Sequence, residues 1–258
     1  MQLEQLKSRP NCTMCELHEE ATNVGVPTVW WNESLPPTGE HPVLMVLGMN
    51  PGYQEDKLNE PFIGPSGQLL KGPYLKGSGI NELATIFLLN SARCWTPATA
   101  PPKRRHYKAC VEHTIVDANH IMRIAGDQQV SWLCCGAAAV NTLTRTLFDK
   151  HLSLTESFRS QSRTCSLVGR DAQGADTNNT HDCNLFATYH PAAVLRNPNL
   201  IHAVQDHLAL LSSYLKGELP QPTRPTMVPP RAPDNRQPSF QIEKENKSNG
   251  CNQRILFS

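Results

Sequence analysis

Short apolar runs recur along the first 215 residues, each closing on a polar or glycine position. Val43–Leu47 stops at Gly48, and Ala84–Leu89 stops at Asn90. Val130–Cys134 runs into a second cysteine, and Leu185–Thr188 leads into Tyr189-His190-Pro191. Their length and β-branched content predict four buried strands, and Thr28–Trp31 reads as a weaker edge strand. The intervening segments carry a helical period instead. Ala109–Ala125 is apolar at Val111, Ile115, Ala118, Ile121, Met122 and Ala125, and Leu200–Leu215 at Ile201, Val204, Leu208, Leu211 and Leu215,. Ala137–Phe148 is a further helix. Gln68–Gly79 is a helix interrupted at Gly72-Pro73, because proline removes a donor and crowds the preceding turn. From Asp149 to Asp182 the chain is polar, and the expectation is an extended loop with at most one short strand, Ser166–Val168.

Strands alternating with helices predict an α/β fold: a three-layer α/β/α sandwich around a central, mostly parallel four-stranded sheet. In such sheets ligands sit at the carboxyl ends of the strands, so the ends after Leu47, Leu89 and Thr188 should share one rim. Residues 1–216 form the expected domain. After it the pattern fails: seven of the 21 prolines fall in residues 217–258, among Gln, Asn, Lys and Arg. Such a segment buries too little apolar surface to offset its ordering entropy and is expected to be disordered.

Charge and cysteine content narrow the chemistry. The net charge is +1, so any nucleic-acid surface must be local. Lys103, Arg104 and Arg105, with Lys108, form the one concentrated basic loop. No apolar run is long enough to span a membrane, and the first residues lack the core of a signal peptide. The expectation is an intracellular monomer whose nine cysteines are metal ligands or free thiols. Cys12 and Cys15 have C-x2-C spacing, while Cys94 and Cys110 bracket the basic loop. Four thiolates satisfy tetrahedral zinc or a 4Fe–4S cluster alike, and spacing does not choose.

The stretch after the first strand carries the densest polar chemistry: Gly48-Met49-Asn50-Pro51-Gly52, then Gln54, Glu55 and Asp56, then Phe62. Taken singly, each feature has an ordinary explanation. A phenylalanine after proline packs in cores, an asparagine at a strand end forms turns, and a lone histidine is a polar surface group. Their order along the chain is what argues for a site.

That order resembles the uracil-DNA glycosylase superfamily, most closely its iron–sulfur branch, family 4. The matching motifs are G-x-x-P-G-x-x-E-D from Gly48 to Asp56, P-F-x-G from Pro61 to Gly64, and G-x-L-L from Gly67 to Leu70. Asn90 to Cys94, Leu133 to Ala139, and T-Y-H-P-A-A-V-L-R-N-P from Thr188 to Pro198 follow in order. The resemblance implies excision of a flipped uracil from DNA. Phe62 would stack on the base and Gly48 would help bind it, Asn90 would read its edge, and His190 would donate to O2 as the bond breaks. Asn50 would position the water, with Asp56 or Glu55 assisting. Cys12, Cys15, Cys94 and Cys110 would hold the 4Fe–4S cluster, zinc being the alternative. Lys103, Arg104, Arg105 and Arg196 would contact the DNA.

The chain also departs from that pattern. Asn50 stands where family 4 commonly has an acid, as in the mismatch-specific and single-strand-selective branches. The Lys103-Arg104-Arg105-His106 loop resembles that of a branch whose histidine stays bonded to DNA, so the alternative is a protein that holds uracil or abasic DNA without turnover, covalently through His106 or not. At the far end, Gln253, Leu256 and Phe257 resemble the short motif that docks bacterial repair proteins on a sliding clamp, which would add that clamp as a partner.

Overall fold

In the computed structural model, the structure describes residues 6–32, 34–36, 40–147, 164–170 and 176–218. The chain divides into one unit of residues 1–223 and a second of residues 224–258. The proline-rich tail with Gln253, Leu256 and Phe257 lies outside the described residues.

Among the described residues, a six-stranded sheet forms the centre of the first unit. Its strands are β1 (Val29–Trp30), β2 (Val43–Gly48), β3 (Thr85–Asn90), β4 (Val130–Cys135), β5 (Thr164–Arg170) and β6 (Asp176–Thr188), in the order β1-β3-β2-β4-β6-β5. The four inner strands are mutually parallel, and both edge strands run antiparallel. The expected count of four is therefore corrected to six. β1 is the short edge strand read from Thr28–Trp31. The polar segment after Asp149 is not merely a loop: it contributes β5 and extends β6 to 13 residues.

Every residue of β2, β3 and β4 is buried, which is why these parallel strands read as unbroken apolar runs. Alternation divides them between two cores. Val43, Met45 and Leu47 pack with Ala118, Ile121 and Met122 of helix α4 (Arg104–Ala125) and with Val140 and Leu143 of α5 (Ala137–Leu147). Leu44 and Val46 pack with Val204, Leu208 and Leu211 of the last helix, α7 (Ile201–Leu215). Between β2 and β3 lie α2 (Tyr53–Leu58) and α3 (Pro65–Leu69). The helix expected over Gln68–Gly79 is instead a π-helical segment, Leu70–Lys76, with Pro73 inside it. Gly77 N–H bonds to Gly72 O at 2.9 Å, the wider turn that forms once proline withholds its own donor. α1 (Leu17–Glu20) and α6 (Pro191–Arg196) complete the helices used below.

One buried polar cluster pins the N-terminal segment to this frame. Asp117 of α4, fully buried, accepts from Arg9 at 2.6 Å and Arg93 at 2.8 Å, and Thr28 Oγ1 donates to it at 2.5 Å. Arg93 also donates to Thr28 Oγ1 at 2.8 Å. No helix among the described residues is long and apolar enough to cross a membrane.

Candidate active site

The chain passes from β2 to β3 on one side and then crosses back to β4 on the other, so the sheet order reverses at β2. A crevice opens at the carboxyl ends of strands where this happens. Gly48 ends β2 directly beside Asn90 at the end of β3, and His190 lies two residues beyond β6. A cavity of about 710 Å³ occupies this rim, lined by Asn50, Glu55, Phe62, Asn90, His190 and Arg196 among others.

Gly48 is the floor. A Cβ there would lie 2.5 Å from both Asn90 Oδ1 and Phe62 Cζ, so only glycine lets the ring and the amide meet at this point. Phe62 is 5 % exposed and adopts φ +58°, a conformation costing a bulky residue about 1–3 kcal/mol. Two neighbours hold it. Glu55 Oε1 accepts from the N–H groups of Ile63 at 3.0 Å and Gly64 at 2.9 Å, and charge-assisted bonds of this kind contribute roughly 1.5–3 kcal/mol each. Gly67 lets the turn close, since a Cβ there would stand 1.9 Å from Phe62 O.

Asn50 is oriented by its own amide. Nδ2 donates to Pro51 O at 2.9 Å and to Thr96 Oγ1 at 3.3 Å. With both N–H groups engaged, Oδ1 is the atom left to accept from a water. His190 caps α6: Ala192 N–H donates to its Nδ1 at 3.1 Å. The neutral ring must therefore carry its proton on Nε2. Burial pushes this imidazole down to about 4, with Arg196 adding to the effect, so near neutral pH it is an uncharged donor.

Two sequence-derived roles change. Asp56 points away from the cavity: its carboxylate accepts from Thr22 N–H at 3.0 Å and Asn23 N–H at 3.1 Å, and the residue is 1 % exposed. It fastens α2 to the N-terminal segment, and its neighbour Glu55 is the carboxylate in the cavity wall. His106 is also turned inward. It is 4 % exposed, its Nδ1 accepts from Lys103 N–H at 3.0 Å, and its Nε2 lies 2.9 Å from Glu16 Oε1. With both ring nitrogens engaged, it is not placed to attack a sugar. Arg105 pairs with the same Glu16 carboxylate, whose pKa is held at about 2, mainly by Arg105 and then His106. Lys103 and Arg104 are exposed at the start of α4 and outside the cavity lining; Arg196 lines it.

The four motif cysteines converge from the N-terminal segment, the loop after β3 and α4. Burial pushes Cys94 up to about 11, with the sulfurs of Cys110, Cys15 and Cys12 adding to the shift. Cys110 is raised by burial and by Cys15 and Cys12. That Cys12 and Cys15 are felt at both Cys94 and Cys110 places the four sulfurs near one another, a donor set of the kind that holds zinc or an iron–sulfur cluster,. Among the described residues no three His, Cys, Asp or Glu side chains stand close enough to hold a single metal ion. Sequence reasoning missed His113, whose Nε2 is 3.2 Å from Cys12 Sγ. It lies one turn after Cys110 on α4, and that spacing was the available signal.

A family model described as the Uracil DNA glycosylase superfamily matches residues 36–215. The chain is 28% identical over 201 residues to a type-4 uracil-DNA glycosylase of Pyrobaculum aerophilum, covering 78% of this chain and 87% of the relative. It is 28% identical over 203 residues to the type-4 uracil-DNA glycosylase of Sulfurisphaera tokodaii, covering 77% and 78%. To that of Archaeoglobus fulgidus it is 25% identical over 190 residues, covering 74% and 81%.

Proposed function

Because the chain belongs to the uracil DNA glycosylase superfamily, we propose that it hydrolyses the N-glycosidic bond of a uracil flipped out of DNA, leaving an abasic site. The observation that carries this reading is one cavity, at the ends of parallel strands, lined by Asn50, Phe62, Asn90 and His190. A base entering it stacks on Phe62 and meets the Asn90 amide, which offers a donor to O4 and an acceptor to N3–H. As the bond breaks, negative charge grows on O2. The His190 Nε2–H donates there without itself needing to titrate, and a donor aimed at developing charge is typically a large catalytic contribution. Asn50 Oδ1 holds the water, and the fixed Glu55 carboxylate favours the positive charge developing on the sugar. Arg196 contacts the phosphate backbone beside the cavity, with Lys103 and Arg104 as further contacts.

We further infer that Cys12, Cys15, Cys94 and Cys110 hold a 4Fe–4S cluster. The coupling of Cys94 and Cys110 to the sulfurs of Cys12 and Cys15 supports one site shared by the four, and the similarity to type-4 uracil-DNA glycosylases favours the cluster over zinc. When bound, it would cross-link the N-terminal segment to α4 and to the loop after β3. We read the two cores, one on each face of the sheet, as a three-layer α/β/α arrangement.

The direct test is release of uracil from an oligonucleotide carrying one such base, read as strand scission in hot alkali. An intact strand under conditions of normal binding would overturn the proposal. Cavity chemistry gives two narrower expectations. Gly48→Ala should cost about 1–3 kcal/mol of stability and slow excision at least about tenfold, because the added methyl must displace Phe62 or Asn90,; single-turnover rates on the folded variant check this. The pH profile follows from His190. Its folded pKa is about 4 against about 6.5 unfolded, so protonation favours unfolding as pH falls between those values. Stability contributed by the neutral ring is fully present above about 6.5 and declines toward 4. Excision should show no break near 6.5; a rate halved there would mean His190 is not held neutral.

A further inference from the structure

The cavity wall includes an aromatic pair that the steps described above do not use. Tyr53, the first residue of α2, is 61% exposed, and Trp95, directly after Cys94, is partly exposed. Both line the cavity that holds Asn50 and His190. Their ring centroids are 6.0 Å apart, with planes at 73°. Lys57, one turn after Tyr53, stands 5.4 Å from the tyrosine centroid and donates to Thr22 Oγ1 at 2.7 Å.

Packing does not explain this arrangement. The buried residues of α2 are Glu55 and Asp56, so Tyr53 is not what seats the helix. An exposed tyrosine beside a partly exposed tryptophan is an apolar patch kept in water, which usually marks a contact surface. In an edge-to-face pair, one ring keeps both faces free of the other. With Lys57 over one face of Tyr53, at least one aromatic face stays free of both partners. A flat apolar face beside a cation suits a nucleobase with its phosphate.

We propose that Tyr53 and Trp95 form a stacking site for the nucleobase adjacent to the excised one on the same strand. The inference rests on the glycosylase reading and adds a second base position to it. Once the target nucleotide leaves the stack, its neighbour exposes a π-face on that side. The pair is continuous with the cavity and can receive that face whatever the base, since stacking tolerates any sequence. Lys57 supplies a positive charge for the accompanying phosphate. The site therefore favours strands that are already unpaired or easily unstacked.

The test measures equilibrium binding of the full-length protein to single-stranded oligonucleotides carrying one uncleavable uracil analogue. The flanking bases are present, removed on the 5′ side, removed on the 3′ side, or removed on both. The wild type should weaken about tenfold or more when one particular flanking base is removed. Tyr53→Ser and Trp95→Ser should bind the intact strand as weakly as the wild type binds the gapped one, and be indifferent to the gap. Tyr53→Phe should match the wild type. Wild-type binding indifferent to both flanking bases would overturn the proposal, as would serine variants that lose the same factor on the doubly gapped strand. Uracil release by the wild type is scored separately, so loss of the stacking site leaves the glycosylase reading standing.

Discussion

Replacing His190 with alanine should slow uracil release about a hundred- to a thousandfold while leaving affinity for uracil-containing DNA within a few-fold. The ring is built in as a neutral donor: Ala192 N–H occupies Nδ1, which leaves the proton on Nε2. Its contribution rises as charge moves onto the departing base, so its loss falls on the chemical step and not on binding. Single-turnover rates at saturating enzyme, with affinity for an uncleavable analogue measured in parallel, separate the two. A matching loss in both would assign His190 to binding alone.

The largest expected effect on stability lies away from the cavity. Asp117→Ala should destabilise the fold by roughly 3–5 kcal/mol. Arg93, 1% exposed, and Arg9, 18% exposed, both depend on this fully buried carboxylate. Removing it leaves two guanidiniums facing each other with no counter-charge. The N-terminal segment carrying Cys12 and Cys15 should loosen first, because Arg9 and Thr28 are tied to α4 through Asp117. Denaturant unfolding gives the magnitude, and hydrogen exchange over residues 6–32 gives the location. A loss below about 1 kcal/mol would mean the arginines find other partners.

The inner strands were legible because burial on both faces leaves no alternation to misread, as in VLMVL of β2 and TIFLL of β3. That Asn50, Phe62, Asn90 and His190 come together in one cavity was legible for a different reason: Asn50, Asn90 and His190 each close or closely follow a strand end, and Phe62 occurs with them in one motif order. Glu55 and Asp56 were not separable, being adjacent carboxylates on a six-residue helix. Which one faces the cavity is set by the backbone amides of Thr22 and Asn23, more than 30 positions away. The inward turn of His106 was hidden for the same reason, since its partner Glu16 is 90 residues distant. The first half of β6, DTNNTHD, carries no apolar period and has β5 as its strand partner, the ladder to β4 beginning only at Cys183. The start of α4 at Arg104 was hidden because its first turn, RRHYK, is polar and follows prolines.

One short piece of backbone couples two parts of the molecule that look independent. Cys94 is gathered with the other motif thiols; two residues later, Thr96 receives the amide of Asn50. The aim of the Asn50 amide is therefore referenced, through two peptide links, to Cys94, whose neighbouring thiols lie in the N-terminal segment and in α4. With the proposed cluster bound, a shift at any of the four thiols would reach Asn50 by way of Thr96, as a loose foundation bolt is felt by an instrument mounted above it.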